Sequence, residues 1–124
     1  MKTGITIFAH GSVVESANEA VRATVREFRE RSGLGLVEAS FLELGRPDLA
    51  GAVELLLADG ATRIIVVPYF LTLGKHLQRD LPRIVGEIKQ SHPGIRIEVA
   101  PPLDGHPSLV DILSDRTLEA LAGH

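Results

Sequence analysis

Short apolar runs and longer segments with helical apolar spacing alternate along the 124-residue chain. Four runs are rich in aliphatic and β-branched residues and predict strands at residues 5–10, 36–44, 63–70 and 95–100. The third run, RIIVVPYF, is almost continuously apolar, which is typical of a central strand covered by helices on both faces. The pattern therefore predicts a layered protein of the α/β class.

Each run is followed by a segment whose apolar residues recur every three or four positions, as on the buried face of a helix. They are Val21, Val25 and Phe28, then Leu49, Val53, Leu56 and Leu57, then Leu81, Ile84, Val85 and Ile88, and finally Leu109, Ile112 and Leu113. Because βαβ crossovers are right-handed, this order predicts a four-stranded parallel sheet with strand order 2-1-3-4 and helices on both faces. We expect residues 1–124 to form a single three-layer αβα domain.

Local signals predict where three of the helices begin. Ser16 and Glu19 have the spacing of a capping box at the start of the first helix. Pro47 and Pro107 are placed to open the second and the last helix, because proline is favoured in a first turn. His106, directly before Pro107, is predicted to cap the last helix.

The start of the third helix has two interpretations. Asp80 is the preferred N-cap, because Pro82 would then lie in the first turn, where a missing backbone N–H costs nothing. The alternative is an earlier start near Lys75. The choice matters because His76, a candidate functional residue, is predicted to lie in a loop only if the helix begins late.

Composition excludes several classes of protein. With 44% hydrophobic and 23% charged residues, the chain resembles ordinary globular proteins and not disordered or membrane-spanning ones. A net charge of -3 argues against a general nucleic-acid binder, which would carry an excess of Lys and Arg. The absence of cysteine excludes disulfides, thiolate metal sites and thiol catalysis. The N-terminal sequence lacks the long hydrophobic segment of a signal peptide, so we predict a cytoplasmic protein with no membrane partner.

Candidate chemistry lies where the predicted strands end. In an open α/β sheet, ligands bind at the carboxyl edge where strand order reverses, here between the first and third strands. His10 ends the first strand, His76 follows the third in a loop that Gly74 allows to turn back, and Glu43 ends the second strand. Two neutral imidazoles suit borderline divalent metals and can also accept protons near neutral pH. The alternative is that both are hydrogen-bonded structural residues.

Four segments at the strand ends resemble, in order, those of a known family. The segments HGS, FLEL with Pro47 shortly after, VVPYFLTLGKH and APPLDGHP are similar to those of the small CbiX-type sirohydrochlorin chelatases, the class II tetrapyrrole metal chelatases. The resemblance spans residues 5–113. It implies a chelatase half-domain that forms a homodimer and inserts a divalent metal into sirohydrochlorin without ATP. The family's paired metal-site histidines correspond to His10 and His76.

The resemblance also implies what the neighbouring residues do. Glu43 would accept a proton or assist the metal, or else simply face solvent. Lys75 and Arg79 would bind carboxylates of the tetrapyrrole, although both would also fit an ordinary solvated helix start. Ser12 would bind the substrate beside His10 or only stabilise the turn. The chain departs from the family in one place, since the apolar residues 13–14 follow HGS where relatives carry charges.

Two other functions compete with metal insertion. A flavodoxin-like carrier that binds metal or tetrapyrrole without catalysis would keep both histidines. A phosphohistidine phosphatase would need an arginine directly before the histidine, and Ala9 stands there. No phosphate-binding loop of the GxxxxGK[ST] or GxGxxG type is present, so no nucleotide site is predicted. Cobalt, iron and nickel suit two imidazoles equally. We do not expect His92 and His124 to belong to the site.

Overall fold

Strands and helices alternate along the chain in the computed structural model, which describes residues 2–123. The elements are β1 Thr3–Ala9, α1 Glu15–Ser32, β2 Val37–Phe41, α2 Leu49–Ala58, β3 Arg63–Pro68, α3 Lys75–Ser91, β4 Arg96–Val99 and α4 Ser108–Ala122. All strands are parallel, and their order in the sheet is β2-β1-β3-β4. This confirms the predicted α/β fold and strand order. His124 lies outside the described residues.

The two faces of the sheet are covered unequally. On one face, α2 and α3 close a large cluster of buried side chains around Phe8, Leu56 and Leu81. On the other face, α1 packs over β2 and buries a smaller cluster that includes Val25 and Phe41. Alternate residues of a strand point to opposite faces. In β3 the residues on the first face are buried, whereas those on the second face are only half-buried. The prediction that helices cover both faces of this strand is therefore only partly right.

The helix starts differ from those that the sequence signals favoured. Val14 is the N-cap of α1 and no side chain caps this helix, so the predicted capping box of Ser16 and Glu19 is wrong. The carboxylate of Glu19 instead pairs with Arg22 and Arg26, at 3.2 Å in both cases. Charge pairing along the helix thus uses the group that a capping box would have needed.

The second and fourth helices begin within one or two residues of the predicted points. Asp48, not Pro47, caps α2, and its Oδ1 accepts the backbone N–H of Gly51 at 2.8 Å. At α4 the N-cap is Pro107 and not the predicted His106, although His106 Nδ1 accepts the N–H of Ser108 at 3.1 Å from the position just before the cap.

The third helix begins early. Its N-cap is Gly74, so Asp80 as N-cap was wrong and the alternative start near Lys75 is confirmed. Pro82 lies inside the helix, where it removes one backbone hydrogen bond. The early start adds Leu77 to the buried face of the helix, which offsets that loss because more apolar surface leaves water. As a result, His76 lies in the first helical turn and not in a loop.

The last helix differs from the other three in its burial. None of the described residues of α4 is buried, whereas α1, α2 and α3 each bury one face. Within residues 2–123, no helix is long and apolar enough to cross a membrane.

Candidate metal-binding site

His10 and His76 line one pocket of about 320 Å³ at the carboxyl edge of the sheet. Its lining residues are His10, Leu42, Phe70, Gly74, Lys75, His76, Leu77 and Asp80. Both imidazoles are exposed to solvent. Residues from the ends of β1 and β3 meet here because the two strands are parallel neighbours, with Ile7 opposite Val67. The tertiary structure thus brings together the two histidines that the predicted strand order places at one edge of the sheet.

The hydrogen bond of His10 fixes which ring nitrogen is free. Its Nδ1 lies 2.9 Å from the carbonyl oxygen of Gly11. A carbonyl oxygen only accepts, so Nδ1 carries the proton of the neutral ring and Nε2 keeps a lone pair. A hydrogen bond from one ring nitrogen to backbone oxygen is the usual way in which proteins orient a metal-binding histidine. His10 therefore presents a free nitrogen suited to a metal ion.

His76 has the opposite arrangement. Arg79, one turn further along α3, places its Nη2 atom 3.2 Å from His76 Nδ1. A guanidinium only donates, so this nitrogen is the acceptor and the proton of the neutral ring lies on Nε2. Neither nitrogen of His76 is then free. A metal ion must displace Arg79 from Nδ1, or bind Nε2 after the proton has moved to Nδ1 and Arg79 has left that nitrogen.

The cations at the start of α3 have different surroundings. Arg79 also pairs with the carboxylate of Asp80 at 3.4 Å, so this guanidinium contacts both an imidazole and an anion. Lys75 lines the pocket, and no ion pair of Lys75 is found in the part of the chain that the structure describes. Lys75 is thus a pocket cation that an anionic ligand can meet without breaking an ion pair.

Asp80 is a pocket residue that sequence reasoning missed. The sequence signals predict Asp80 as the N-cap of α3, but it lines the pocket with His76, four positions away on the same helix. Residues four apart face the same side of a helix, so the spacing would have indicated the pair if the early start had been preferred. No group of three or more metal-ligating side chains is present within residues 2–123.

Glu43 lies beside the histidine pocket and its side chain does not line it. Its backbone N–H donates to the carbonyl oxygen of His10 at 3.1 Å. Its side chain instead lines a neighbouring open pocket together with Glu15, Arg22 and Arg46. Its proposed role in proton transfer therefore stays a prediction.

The loop after β1 is pressed against the loop after β2. Gly11 has a φ of +93°, a conformation that side-chain-bearing residues rarely adopt. Leu44 in the second loop also has a positive φ, of 57°, which is unusual for a residue with a branched side chain. Both deviations lie where the loops touch, so this contact defines the backbone that carries His10.

A buried amide connects the two loops. The side chain of Asn18 accepts the N–H of Ser12 at 2.9 Å and donates to the carbonyl oxygens of Ser12 at 2.9 Å and Leu44 at 2.8 Å. Asn18 is only 1% exposed. The sequence did contain a signal, since Asn18 precedes Val21 and Val25 by three and seven positions and so shares their apolar face.

A second connection runs through Arg22. Its guanidinium bonds to Glu15 at 2.6 Å and donates to the carbonyl oxygen of Arg46 at 3.0 Å. It also lies 5.1 Å from the centre of the Phe41 ring, within cation–π range. The hydrogen bond from Arg22, and then that from Asn18, lowers the pKa of the Glu15 carboxyl below 4.5. The start of α1 thus holds the second loop by charge as well as by the buried amide.

Ser12 and the two valines after it complete the first loop. The hydroxyl oxygen of Ser12 accepts the N–H of Val14 at 3.0 Å, which is the turn-stabilising role considered as an alternative for this residue. Val13 and Val14 are 82% and 56% exposed. Two adjacent apolar side chains therefore project into solvent near the predicted site.

Sequence comparison matches residues 4–120 to the CbiX family. The chain is 33% identical over 119 residues to the chloroplastic sirohydrochlorin ferrochelatase of Arabidopsis thaliana, covering 96% of this chain and 53% of that protein. It is 30% identical to the sirohydrochlorin cobaltochelatase of Sulfurisphaera tokodaii, covering 95% and 93%. The chain thus spans about half the length of the plant relative and nearly all of the archaeal one.

Solved structures show the same fold. The cobalamin biosynthesis CbiX protein of Marinobacter aquaeolei superposes with a TM-score of 0.87 at 27% identity, covering 98% of this chain and 99% of that one. The sirohydrochlorin chelatase SirB of Bacillus subtilis in complex with cobalt gives a TM-score of 0.89 at 29% identity, covering 96% of this chain and 51% of SirB. SirB with Fe3+ gives 0.89 at 28%, covering 98% and 48%.

Proposed function

Since the chain belongs to the CbiX family, we propose that it inserts a divalent metal ion into sirohydrochlorin without ATP. The observation that carries the proposal is that His10 and His76 line one solvent-exposed pocket at the carboxyl edge of the sheet. Relatives named sirohydrochlorin ferrochelatase and sirohydrochlorin cobaltochelatase support the reaction. Cobalt and iron are the favoured metals, with nickel as a third candidate on the chemistry of imidazole ligands.

The geometry suits a site that passes its metal on. His10 offers the Nε2 lone pair, and His76 becomes a second ligand once Arg79 releases it. Two imidazoles leave the other coordination positions to water and to the incoming pyrrole nitrogens. A site that bound the ion with more ligands would release it more slowly. Weak binding therefore favours transfer to the ring.

Proton balance assigns a second task to the same residues. Two pyrrole N–H protons leave as the dication enters the ring. The Nε2 lone pair that has just released the metal is free to take one of them. Glu43 remains our predicted carboxylate acceptor for the other. Asp80, which lines the histidine pocket itself, is the second candidate.

Substrate binding is proposed to depend on the start of α3. Sirohydrochlorin carries several carboxylates, and Lys75 presents an ammonium group at the pocket. Arg79 would bind a second carboxylate after leaving His76, so that arrival of the substrate frees a metal ligand. Ser12, two positions after His10, remains a predicted substrate-binding residue.

The working unit is proposed to be a homodimer with the site facing a cleft between two copies. SirB supports this view, because the present chain covers only 51% of it and so corresponds to one half of the longer protein. The cytoplasmic location stays a prediction from the sequence. Whether the chain serves the cobalamin or the siroheme pathway depends on whether it inserts cobalt or iron.

The proposal is tested with purified protein, sirohydrochlorin and each of cobalt(II), iron(II) and nickel(II), following the absorbance change of the ring. We expect His10→Ala and His76→Ala to lose most of the rate. His92→Ala is the matched control, because His92 lies at the far end of α3 and lines a different pocket. Unchanged rates in both site variants would contradict the catalytic assignment. A catalyst forms many metallated rings per protein molecule. If no more than one metallated ring forms per binding site, the non-catalytic carrier is supported instead.

A further inference from the structure

Three apolar residues near His10 are unfavourable in the positions that they occupy. Leu44 has a φ of 57°, a left-handed conformation that a residue with a branched side chain rarely adopts. Val14 is the N-cap of α1, where an aliphatic side chain offers no oxygen to the free backbone N–H groups. Val13 is 82% exposed, so it contributes almost nothing to the apolar core. Residues that break local rules in this way cluster at functional sites.

Burial does not offset these unfavourable positions. Val14 and Leu44 are 56% and 52% exposed, so much of the apolar surface of both side chains stays in water. Serine or aspartate would suit the N-cap better, and glycine or asparagine would suit the positive φ better. The chain therefore keeps apolar side chains at this edge of the sheet at a cost in stability. We call the exposed surface of Val13, Val14 and Leu44 the apolar rim.

The apolar rim is built on two loops that one buried side chain holds together. The carbonyl oxygens of Ser12 and Leu44 both lie within 2.9 Å of the same atom, Nδ2 of Asn18. Ser12 directly precedes Val13 and follows His10 by two positions. Because Asn18 is only 1% exposed, its hydrogen bonds are shielded from water and fix both backbones. The apolar rim is therefore formed beside His10 before any ligand arrives.

Metal insertion brings the face of a tetrapyrrole ring, and not its periphery, to the histidines. The four ring nitrogens point to the centre of a roughly flat ring, so a metal ion held by His10 reaches them from above or below the ring plane. Residues next to His10 therefore meet the ring face, while the carboxylates lie at the periphery. A charged side chain under that face would lose its water without gaining a partner, whereas an apolar side chain is stabilised there.

We propose that the apolar rim is the seat for the face of the sirohydrochlorin ring and positions the ring nitrogens over His10. The inference rests on the metal insertion proposed above and adds the residues that orient its substrate. Lys75, which lines the histidine pocket, meets the peripheral carboxylates, so apolar and charged contacts serve different parts of one ligand. Because the seat is formed in advance, the ring binds without ordering these loops.

The first test gives two positions the residues that their backbone prefers. Leu44→Asn suits a positive φ, and Val14→Ser supplies the missing N-cap oxygen, so both variants are expected to melt at a higher temperature than the wild type. Both are nevertheless expected to bind metal-free sirohydrochlorin roughly 3–10-fold more weakly in an absorbance titration. A purely structural role would move stability and binding in the same direction. Leu34→Asn is the matched control, because Leu34 is 44% exposed but lies between α1 and β2, at the opposite edge of the sheet.

The second test separates the ring seat from other uses of the apolar rim. In Leu44→Asn, the binding of cobalt(II) alone by calorimetry and the molar mass by light scattering are both expected to match the wild type. A lower molar mass would assign the apolar rim to contact between copies and overturn the seat, as would an equal loss of cobalt(II) and ring binding.

The wild type distinguishes failure of the seat from failure of the proposed function. If the wild type binds metal-free sirohydrochlorin and both variants bind it equally well, the seat alone is overturned. If the wild type does not bind sirohydrochlorin, the proposed metal insertion is overturned and the seat with it.

Discussion

A Cβ atom placed on Gly11 would lie 1.7 Å from the carbonyl oxygen of Glu43. The two loops that follow β1 and β2 are therefore in direct backbone contact at the edge of the sheet. Next to this point, the N–H groups of Leu42 and Glu43 donate to the carbonyl oxygens of Ala9 at 2.9 Å and His10 at 3.1 Å. The backbone of His10 is thus held by the neighbouring strand and its loop.

Gly11→Ala is predicted to be strongly destabilising. The positive φ alone costs about 1 kcal/mol for a residue with a side chain. Displacing the Glu43 backbone adds about 1–3 kcal/mol. Chemical denaturation of Gly11→Ala and Gly94→Ala separates the two costs, because Gly94 has a similar φ of +96° but no atom within 4 Å of its Cβ position. Equal losses in the two variants would show that the loop contact contributes nothing.

Asn18→Ala is predicted to lower the free energy of unfolding by about 3 kcal/mol. The change leaves the N–H of Ser12 and the carbonyl oxygen of Leu44 without their buried partner, at about 1–3 kcal/mol for each unsatisfied group. Ser16→Ala, on the same helix, is the control and should be nearly neutral because Ser16 does not cap α1. The variant should also bind cobalt(II) more weakly in titration calorimetry, since the His10 loop loses its support. A loss no larger than that of Ser16→Ala would contradict this role.

Arg79→Ala is predicted to tighten the binding of cobalt(II) alone, by roughly 2–10-fold. Its guanidinium occupies His76 Nδ1 and also places a positive charge beside the ion. The same change should weaken the binding of sirohydrochlorin. Arg83→Ala is the control, because Arg83 pairs with Glu87 at 3.0 Å one turn further along the helix. If both variants bind cobalt(II) as the wild type does, Arg79 does not compete with the metal.

Glu15→Gln is predicted to remove a pH-dependent part of the stability. The pKa of Glu15 is lowered in the folded state, mainly by the hydrogen bond from Arg22. A lowered carboxyl pKa contributes stability that is present above the ordinary value of 4.5 and is lost as pH falls through the folded-state value. The melting temperature of the variant should therefore lie below that of the wild type at pH 7 and approach it as the pH falls below 4.5.

Glu30→Gln, on the same helix, is the control for that comparison, because no ion pair of Glu30 is found in residues 2–123. It should follow the wild type at every pH. A difference between Glu15→Gln and the wild type that stays constant from pH 7 to pH 3 would mean that charge pairing at Glu15 does not stabilise the fold.

Periodicity predicted most of the fold, and local signals predicted less. The alternation of apolar runs and helical segments is repeated over the whole chain, so small local ambiguities do not alter it. A helix start depends on a few residues. It also depends on whether the apolar surface buried by one more turn outweighs an unfavourable residue inside the helix. Leu77 joins the core when α3 begins at Lys75, which explains why Pro82 is tolerated inside the helix.

The candidate site was predictable in part for the same reason. His10 and His76 follow strands that any 2-1-3-4 sheet places side by side, so strand order alone brought them to one edge. Asp80 was missed because its assignment depended on the uncertain start of α3. The position of Asn18 on the apolar face of α1 was a signal of burial, but its role was missed because its partners come from loops that meet only in the folded chain.

The sequence by itself determined the class of fold, the order of the strands and the edge at which the histidines lie, because these follow from patterns that recur along the chain. Only the tertiary structure decided which nitrogen of each imidazole is free, since the hydrogen-bond partners of His10 and His76 are set by local backbone and side-chain geometry. It also decided that α4 buries none of its described residues against its own sheet. Apolar periodicity shows that a helix has a face to bury, but not what buries it.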